Sequence, residues 1–350
     1  MRVEQKWTGV RIPKNAENEY FLATVPGNIQ QDYAVSHGWG DAMFGENCRR
    51  YEVLEDDSWA YLTRLSYEKR DGERVWFVSG GIDYRYDILL NHRKLYAYEG
   101  LVKPVEIDLT EFLTGDDEIC VFIYPHPKRA GAWRGTRDEA DASCKPPVCY
   151  GWDWNPRLLI SGMWQEAYIE TRDSGYIDDC EPTWHLSPDF ERAEISFAVR
   201  CGEECTVSLF DAEGECLYRG DGKRIVLEKP HLWWCCGQGE PYLYRFVAES
   251  RTDRKEGTLG LRRVRLLRNP GTKENSGFPK SRYPAPITLE LNGRRIFLKG
   301  SNFVNADIFW GRVERGQYDA LTDLARDANM NILRVWGGAS VCKKDFYEFC

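Results

Sequence analysis

From its start to about residue 268 the chain alternates apolar and polar residues in short runs broken by turns. A period of two commits such a chain to antiparallel β-sheets. Tyr84, Tyr86, Ile88 and Leu90 fall on one strand face, with Arg85 and Asp87 on the other. The turn Asn91-His92 follows, then a further strand, then Thr114-Gly115-Asp116-Asp117 leading into Ile119-Cys-Val-Phe-Ile123. Later, Ile195, Phe197 and Val199 alternate with Glu194, Ser196 and Arg200. Val207 and Leu209 precede a turn at Glu213-Gly214, and Tyr242, Tyr244 and Phe246 form another stripe. No long amphipathic helix interrupts the first part. The strand spacing predicts a sandwich over 1–172 and an immunoglobulin-like sandwich over 173–268.

The pattern then changes. A Gly/Pro/Asn/Lys-rich stretch, 269–286, reads as a connecting loop. Ile287-Thr-Leu-Glu-Leu291, Asn292-Gly293 and Arg295-Ile-Phe-Leu298 predict a hairpin, since Asn-Gly suits a type I′ turn. Over 317–329, Tyr318, Leu321, Leu324 and Ala325 recur at helical spacing, a strand follows over 331–335, and 345–350 starts another helix. Strand, helix, strand, helix is the opening of a parallel α/β domain. A closed eight-stranded barrel needs about 250 residues, and only about 65 remain. The expectation is that the chain stops inside this domain, leaving apolar faces that are disordered or covered by another chain.

Bulk properties narrow the function. With 350 residues and 42% hydrophobic content the chain is globular and multidomain. No apolar run approaches the roughly 20 residues of a membrane-spanning helix, and MRVEQKWTGV lacks a signal-peptide pattern, so a cytoplasmic location is expected. A formal charge of −8 argues against nucleic acid or an anionic membrane as partner. Arg262, Arg263 and Arg265 read as a solvated strand face. Twelve cysteines in a chain of this kind read as reduced thiols, and their spacings match no zinc site. No metal and no cofactor is expected.

Two segments point to chemistry. In Tyr150-Gly-Trp-Asp-Trp-Asn-Pro-Arg157 a charged Asp stands between two Trp, which is costly to bury unpaired. It is either a loop offering an aromatic wall and a hydroxyl acceptor, or a turn between two core-capping indoles. In Leu333-Arg-Val-Trp-Gly-Gly338 an indole precedes two glycines where a strand ends and its loop begins, the place where such domains bind substrates. The alternative is an Arg capping the strand and a Trp closing a barrel. Glycoside hydrolysis usually needs two carboxylates about 5 to 9.5 Å apart, and no acid pair here has a promising context. Asn18-Glu19 lies in a polar N-terminal segment without a barrel around it. No G-x-S-x-G, histidine triad spacing or phosphate-binding glycine loop occurs.

At these segments the chain resembles glycoside hydrolase family 2, particularly its β-mannosidase-like branch. Gly151-Trp-Asp-Trp-Asn-Pro-Arg157 with Ser161-Gly-Met-Trp164 resembles that branch's G-W-D-W-G-P-R…S-G-I-W. Phe297-Leu-Lys-Gly-Ser-Asn-Phe303 with Ala306-Asp307 resembles its hairpin exit. Asn329-Met-Asn-Ile-Leu-Arg-Val-Trp-Gly-Gly338 with Asp345-Phe-Tyr-Glu-Phe-Cys350 resembles its N-M-N-x-x-R-x-W-G-G…F-Y-x-x-C run. Leu232-Trp-Trp234 and Gly239-Glu-Pro-Tyr-Leu-Tyr244 resemble an element of its middle sandwich and Gly260-Leu-Arg262 its G-x-R before the barrel, all in the family's order.

The resemblance implies a mainly β multidomain protein: a jelly-roll sugar-binding sandwich, an immunoglobulin-like sandwich, then, over 269–350, a linker and the first βα units of a (β/α)8 barrel. It implies the N-terminal part of a retaining exo-β-mannosidase, inactive alone because the two catalytic glutamates lie on later strands. No catalytic residue is therefore assigned, and the expected partner is an oligosaccharide or glycoside. Trp152 and Asp153 would hold the terminal sugar, Arg334 and Trp336 would share the subsite from the second barrel strand, and Asn302 would stand near the end of the first. Asn155, Phe303-Val-Asn305, Ala339 and Cys235-Cys236 depart from the family pattern, the first two near the expected subsite. The alternatives are specificity for a glucosaminide, galactoside or glucuronide, or a non-catalytic carbohydrate-binding protein.

Overall fold

The computed structural model describes residues 2–272 and 286–350. The predicted connecting loop therefore lies largely outside the described residues. The described chain forms two compact units: 1–172 with 302–323 and 335–350, and 173–301 with 324–334.

In the first unit the strands are β1 (Arg2–Glu4), β2 (Trp7–Ile12), β3 (Glu19–Ala23), β4 (Ser58–Arg64), β5 (Arg74–Ser79), β6 (Arg85–Leu90), β7 (Arg93–Glu99), β8 (Val105–Asp108), β9 (Glu118–Ile123) and β10 (Ala167–Arg172). They make an antiparallel sheet β1-β10-β5-β8 and another, β3-β2-β4-β9-β6-β7, the jelly-roll sandwich. The alternation in the sequence is the burial pattern: Ile119, Val121 and Ile123 point inward from β9, and Tyr86, Ile88 and Leu90 from β6. These residues meet Trp59, Tyr61, Phe77 and Trp164 in one core. The only α-helix before residue 300 among the described residues is α1 (Ile29–Ser36).

Phe309 and Trp310, far along the chain, are also buried in this core. Their segment is held by Asn28, whose Oδ1 accepts the Gly311 N–H at 3.0 Å. Gly311 allows the approach: a Cβ there would stand 2.5 Å from the Gly27 backbone.

The second unit holds β11 (Ile177–Leu186), β12 (Arg192–Cys201), β13 (Thr206–Phe210), β14 (Cys216–Gly220), β15 (Ile225–Glu228), β16 (Tyr244–Glu249) and β17 (Arg254–Leu259). Sheets β11-β12-β15 and β14-β13-β16-β17 close over Ile195, Phe197, Val207, Leu209, Tyr244 and Phe246, an immunoglobulin-like arrangement. Arg262 and Arg263 are not plain solvated strand residues. They precede β18 (Val264–Arg268), and their guanidinium groups lie 4.8 Å over Trp233 and 4.2 Å over Phe190.

β18 pairs with β19 (Ile287–Leu291), which pairs with β20 (Arg294–Ile296). Asn292 and Gly293 take φ of 48° and 78° in the hairpin turn, as Asn-Gly predicts. The βα order follows in β21 (Gly300–Phe303), α2 (Arg315–Asp327), β22 (Ile332–Val335) and α3 (Lys344–Phe349), with β21 and β22 paired. Among the described residues no helix is long and apolar enough to cross a membrane. All twelve cysteines are free thiols.

Candidate glycone-binding site

The Trp-Asp-Trp segment forms a tight hairpin. Trp152 N–H donates to the Asn155 carbonyl at 2.9 Å and Asn155 N–H returns to Trp152 at 3.3 Å, leaving Asp153 and Trp154 at the tip. Asn155, which stands where the family has Gly, braces the loop: its Nδ2 donates to the Val148 and Pro156 carbonyls at 3.1 and 3.0 Å.

Neither tip residue caps a core. The Asp153 side chain is 79% exposed and Trp154 is 55% exposed. Trp152 alone packs partly against the jelly-roll core, so the turn reading holds for its backbone while its acid and outer indole face solvent.

Trp336 comes to this loop from the end of β22. Its ring lies 5.1 Å from Trp152, edge-on at 69°, and 6.0 Å from Trp154. Two backbone bonds seat it: Trp336 N–H donates to Phe303 O at 2.8 Å, and Val148 N–H donates to Gly338 O at 3.1 Å. Three indoles and one carboxylate thus share a notch, an apolar wall beside a hydrogen-bond acceptor.

Arg137 completes it and has no counterpart in the sequence reading. Its guanidinium lies 4.3 Å over the Trp152 ring, with Nη2 3.5 Å from Asp153 Oδ1. Such a cation stacks on the indole and orients the acid together. Asn302 lies exposed on β21, one residue before the carbonyl that holds Trp336. Arg334 lies exposed on β22, within the other compact unit.

Beneath the notch is a buried ionic clamp. Arg157 donates from Nε and Nη2 to the two oxygens of Glu55, both at 2.7 Å, and from Nη2 to Glu139 at 2.6 Å. Lys128 adds a bond to Glu55 at 2.9 Å. These two carboxylates bonded to one Arg are not a catalytic pair. Their side chains are 9% and 5% exposed, and their bonded oxygens are held by Arg157, Lys128 and the Gly135 N–H, so they position the loop. Beyond Arg157, Ser161, Met163 and Trp164 are buried, with Trp164 Nε1 donating to Leu101 O at 2.8 Å. Lys145 and Asp83 form a fully buried pair at 2.6 Å, and Lys145 also donates to Ile160 O.

His126, buried beside Lys145 and Lys128, is held well below the usual imidazole range, first by desolvation and then by those cations. It stays neutral and is unsuited to acid–base work near neutral pH. Glu19, in the dismissed Asn-Glu dipeptide, pairs with Arg11 at 2.8 Å and lies 3.1 Å from His37, a structural role.

Residues 10–165 match the family described as Glycosyl hydrolase 2 galactose-binding domain-like. That span ends just past the Ser161-Gly-Met-Trp164 anchor and contains the whole Trp-Asp-Trp loop. Residues 10–165 thus carry a domain of glycoside hydrolase family 2 type, and over nearly its whole length the chain is similar to β-mannosidases. It is similar to β-mannosidase B of Thermothelomyces thermophilus, 24% identical over 99% of this chain and 43% of the relative. It is also similar to the β-mannosidase of Bos taurus, 26% identical over 94% of this chain and 41% of that protein. Among solved structures, β-D-mannosidase from Dictyoglomus thermophilum superposes with a TM-score of 0.80 at 22% identity, covering all of this chain and 46% of that one. The chain spans about two-fifths of the length of the curated relatives it matches.

Proposed function

We propose that this chain supplies one wall of the terminal-sugar subsite of a retaining, exo-acting β-mannosidase, whose two catalytic glutamates come from later barrel strands. The observation that carries the reading is the notch itself: Trp152 and Trp336 at 5.1 Å, with the exposed acid Asp153 at its rim. Indole faces take the C–H face of a pyranose, and a carboxylate accepts from its hydroxyls through charge-assisted hydrogen bonds. Asn302 is assigned to the same subsite by motif position.

A uronate would have to compete with Asp153 for the Arg137 guanidinium, which supports a neutral sugar. The exposure of Phe297 at 83% and Leu324 at 65% supports further barrel structure covering them, and with it the inactivity of this chain alone. Exposed free thiols at Cys144, Cys216, Cys236 and Cys350 suit a reducing, cytoplasmic location.

The test is the complete gene product on aryl β-glycosides. Turnover of the β-mannoside, and none by the 350-residue chain, is the expected result. Turnover of only a β-glucuronide or β-glucosaminide would replace the sugar. Binding without turnover of any glycoside would favour the carbohydrate-binding reading.

A further inference from the structure

Three thiols meet at one end of the immunoglobulin-like unit. Cys201 is the last residue of β12, and Cys205 stands immediately before β13. The link between them, 202–204, crosses from the sheet β11-β12-β15 to the sheet β14-β13-β16-β17. Both side chains pack against the core between these sheets, in which Cys180 of β11 is buried. The Cys205 S–H donates to the Cys201 sulfur, and Cys180 lies near enough to act on Cys205 electrostatically. The link is fixed in place. Cys201 Sγ donates to Gly175 O at 3.5 Å, and Ser250 Oγ donates to the same carbonyl at 2.5 Å. A Cβ on Gly202 would stand 2.7 Å from Ser174 O, and one on Gly175 would stand 2.3 Å from Glu203 Oε1.

We propose that Cys201 and Cys205 are an oxidative modification site, which hydrogen peroxide converts into a reversible disulfide joining the two sheets. Both are free thiols in the resting chain, and two reduced sulfurs in hydrogen-bond contact on a fixed link are the starting point such a bond needs.

The two sulfurs have different roles. Cys205 is pushed up to about 12, first by burial and then by its bond to Cys201, so it keeps its proton at neutral pH. Cys201 is therefore the attacking sulfur. It takes one peroxide oxygen as the O–O bond breaks and becomes a sulfenic acid. The other oxygen leaves as hydroxide and collects the proton given up by Cys201, forming water. Cys205 Sγ then attacks the Cys201 sulfur: the S–S bond forms, the S–O bond breaks, and the departing hydroxide leaves with the Cys205 proton as a second water. The two sulfurs give up two electrons and the peroxide takes both. A dithiol reductant reverses the change, its own two thiols becoming the disulfide.

The experiment treats the 350-residue chain with hydrogen peroxide at doses rising until the exposed Cys216 begins to form sulfenic acid. The chain is then alkylated, cut with trypsin and weighed. Cleavage after Arg200 and Arg219 puts Cys201, Cys205 and Cys216 in one peptide, so Cys216 is an internal reference. The expected result is that this peptide loses two hydrogens below that dose. Further cleavage after Glu204 and Glu213 should leave 201–204 joined to 205–213, and dithiothreitol should release them. In Cys205→Ser, Cys201 should stop at the sulfenic acid and be captured by dimedone. In Cys201→Ser, Cys205 should stay reduced over the same doses. Free thiols at both positions at the dose that oxidises Cys216 would overturn the proposal. A link from Cys205 to Cys180, seen as peptide 173–192 joined to 201–219, would overturn it by changing the partner. Failure of dimedone to label Cys201 in Cys205→Ser would overturn the order of attack.

Discussion

Arg137 lies in a loop of Gly, Arg and Asp without periodicity, so nothing in its neighbourhood in the sequence marks it as part of the notch. The fold alone sets it 4.3 Å over Trp152 and 3.5 Å from Asp153. Because Arg137 and Asp153 are both well exposed, the ion pair adds little to stability. Arg137→Ala should leave the melting temperature nearly unchanged while weakening mannobiose binding several-fold, read by calorimetry and titration of the same variant. Asp32 carries the opposite kind of effect. Burial pushes its carboxyl up to about 6, against the Thr24 N–H that it accepts at 2.8 Å. A raised carboxyl favours the fold when protonated, so this stabilisation is full below about pH 4 and is lost as pH rises through 6. Asp32→Asn should therefore be more stable than the parent at pH 7, by on the order of 2 kcal/mol, and similar to it near pH 4. Melting curves at the two pH values check the sign.

At the scale of elements, what the sequence displays is what is local. The alternation in β6 and β9 is the buried face of each strand, and Asn292-Gly293 is a turn wherever it occurs between two strands. The Trp-Asp-Trp hairpin was legible for the same reason, as residues too polar and too crowded with indoles for a strand. Its supports were not. Glu55 stands 102 residues from Arg157, and only the closed sandwich brings them together. Arg157→Ala would leave Glu55 and Glu139 buried without that cation, at a cost of about 3–5 kcal/mol. Phe309 and Trp310 are illegible in another way: they read as part of the strand-and-helix region but complete the jelly-roll core. Phe309→Ala should destabilise that unit by about 3–5 kcal/mol. Urea unfolding followed by fluorescence would show the early loss of the jelly-roll transition, and an unchanged midpoint would mean that the segment is not part of this core.

For the whole molecule, the resemblance to family 2 was readable because the motifs are spread along the chain in one order, each marking a different element. The structure separates them by role. Ser161-Gly-Met-Trp164 anchors, Arg157 clamps, and Trp152, Asp153 and Trp336 face the notch. Sugar identity is the least legible property, since it depends on hydroxyl partners from several loops at once. The departures contribute less to it than their positions suggest. Asn155 is spent on bracing its own hairpin, and Phe303 packs on Phe346 at 4.5 Å. The most direct test is kcat/KM of the complete gene product and its Asp153→Ala variant on an aryl β-mannoside. If Asp153 holds the terminal sugar, the variant loses about 10- to 100-fold with its melting temperature unchanged. An undiminished kcat/KM would contradict the assignment of this loop to the subsite.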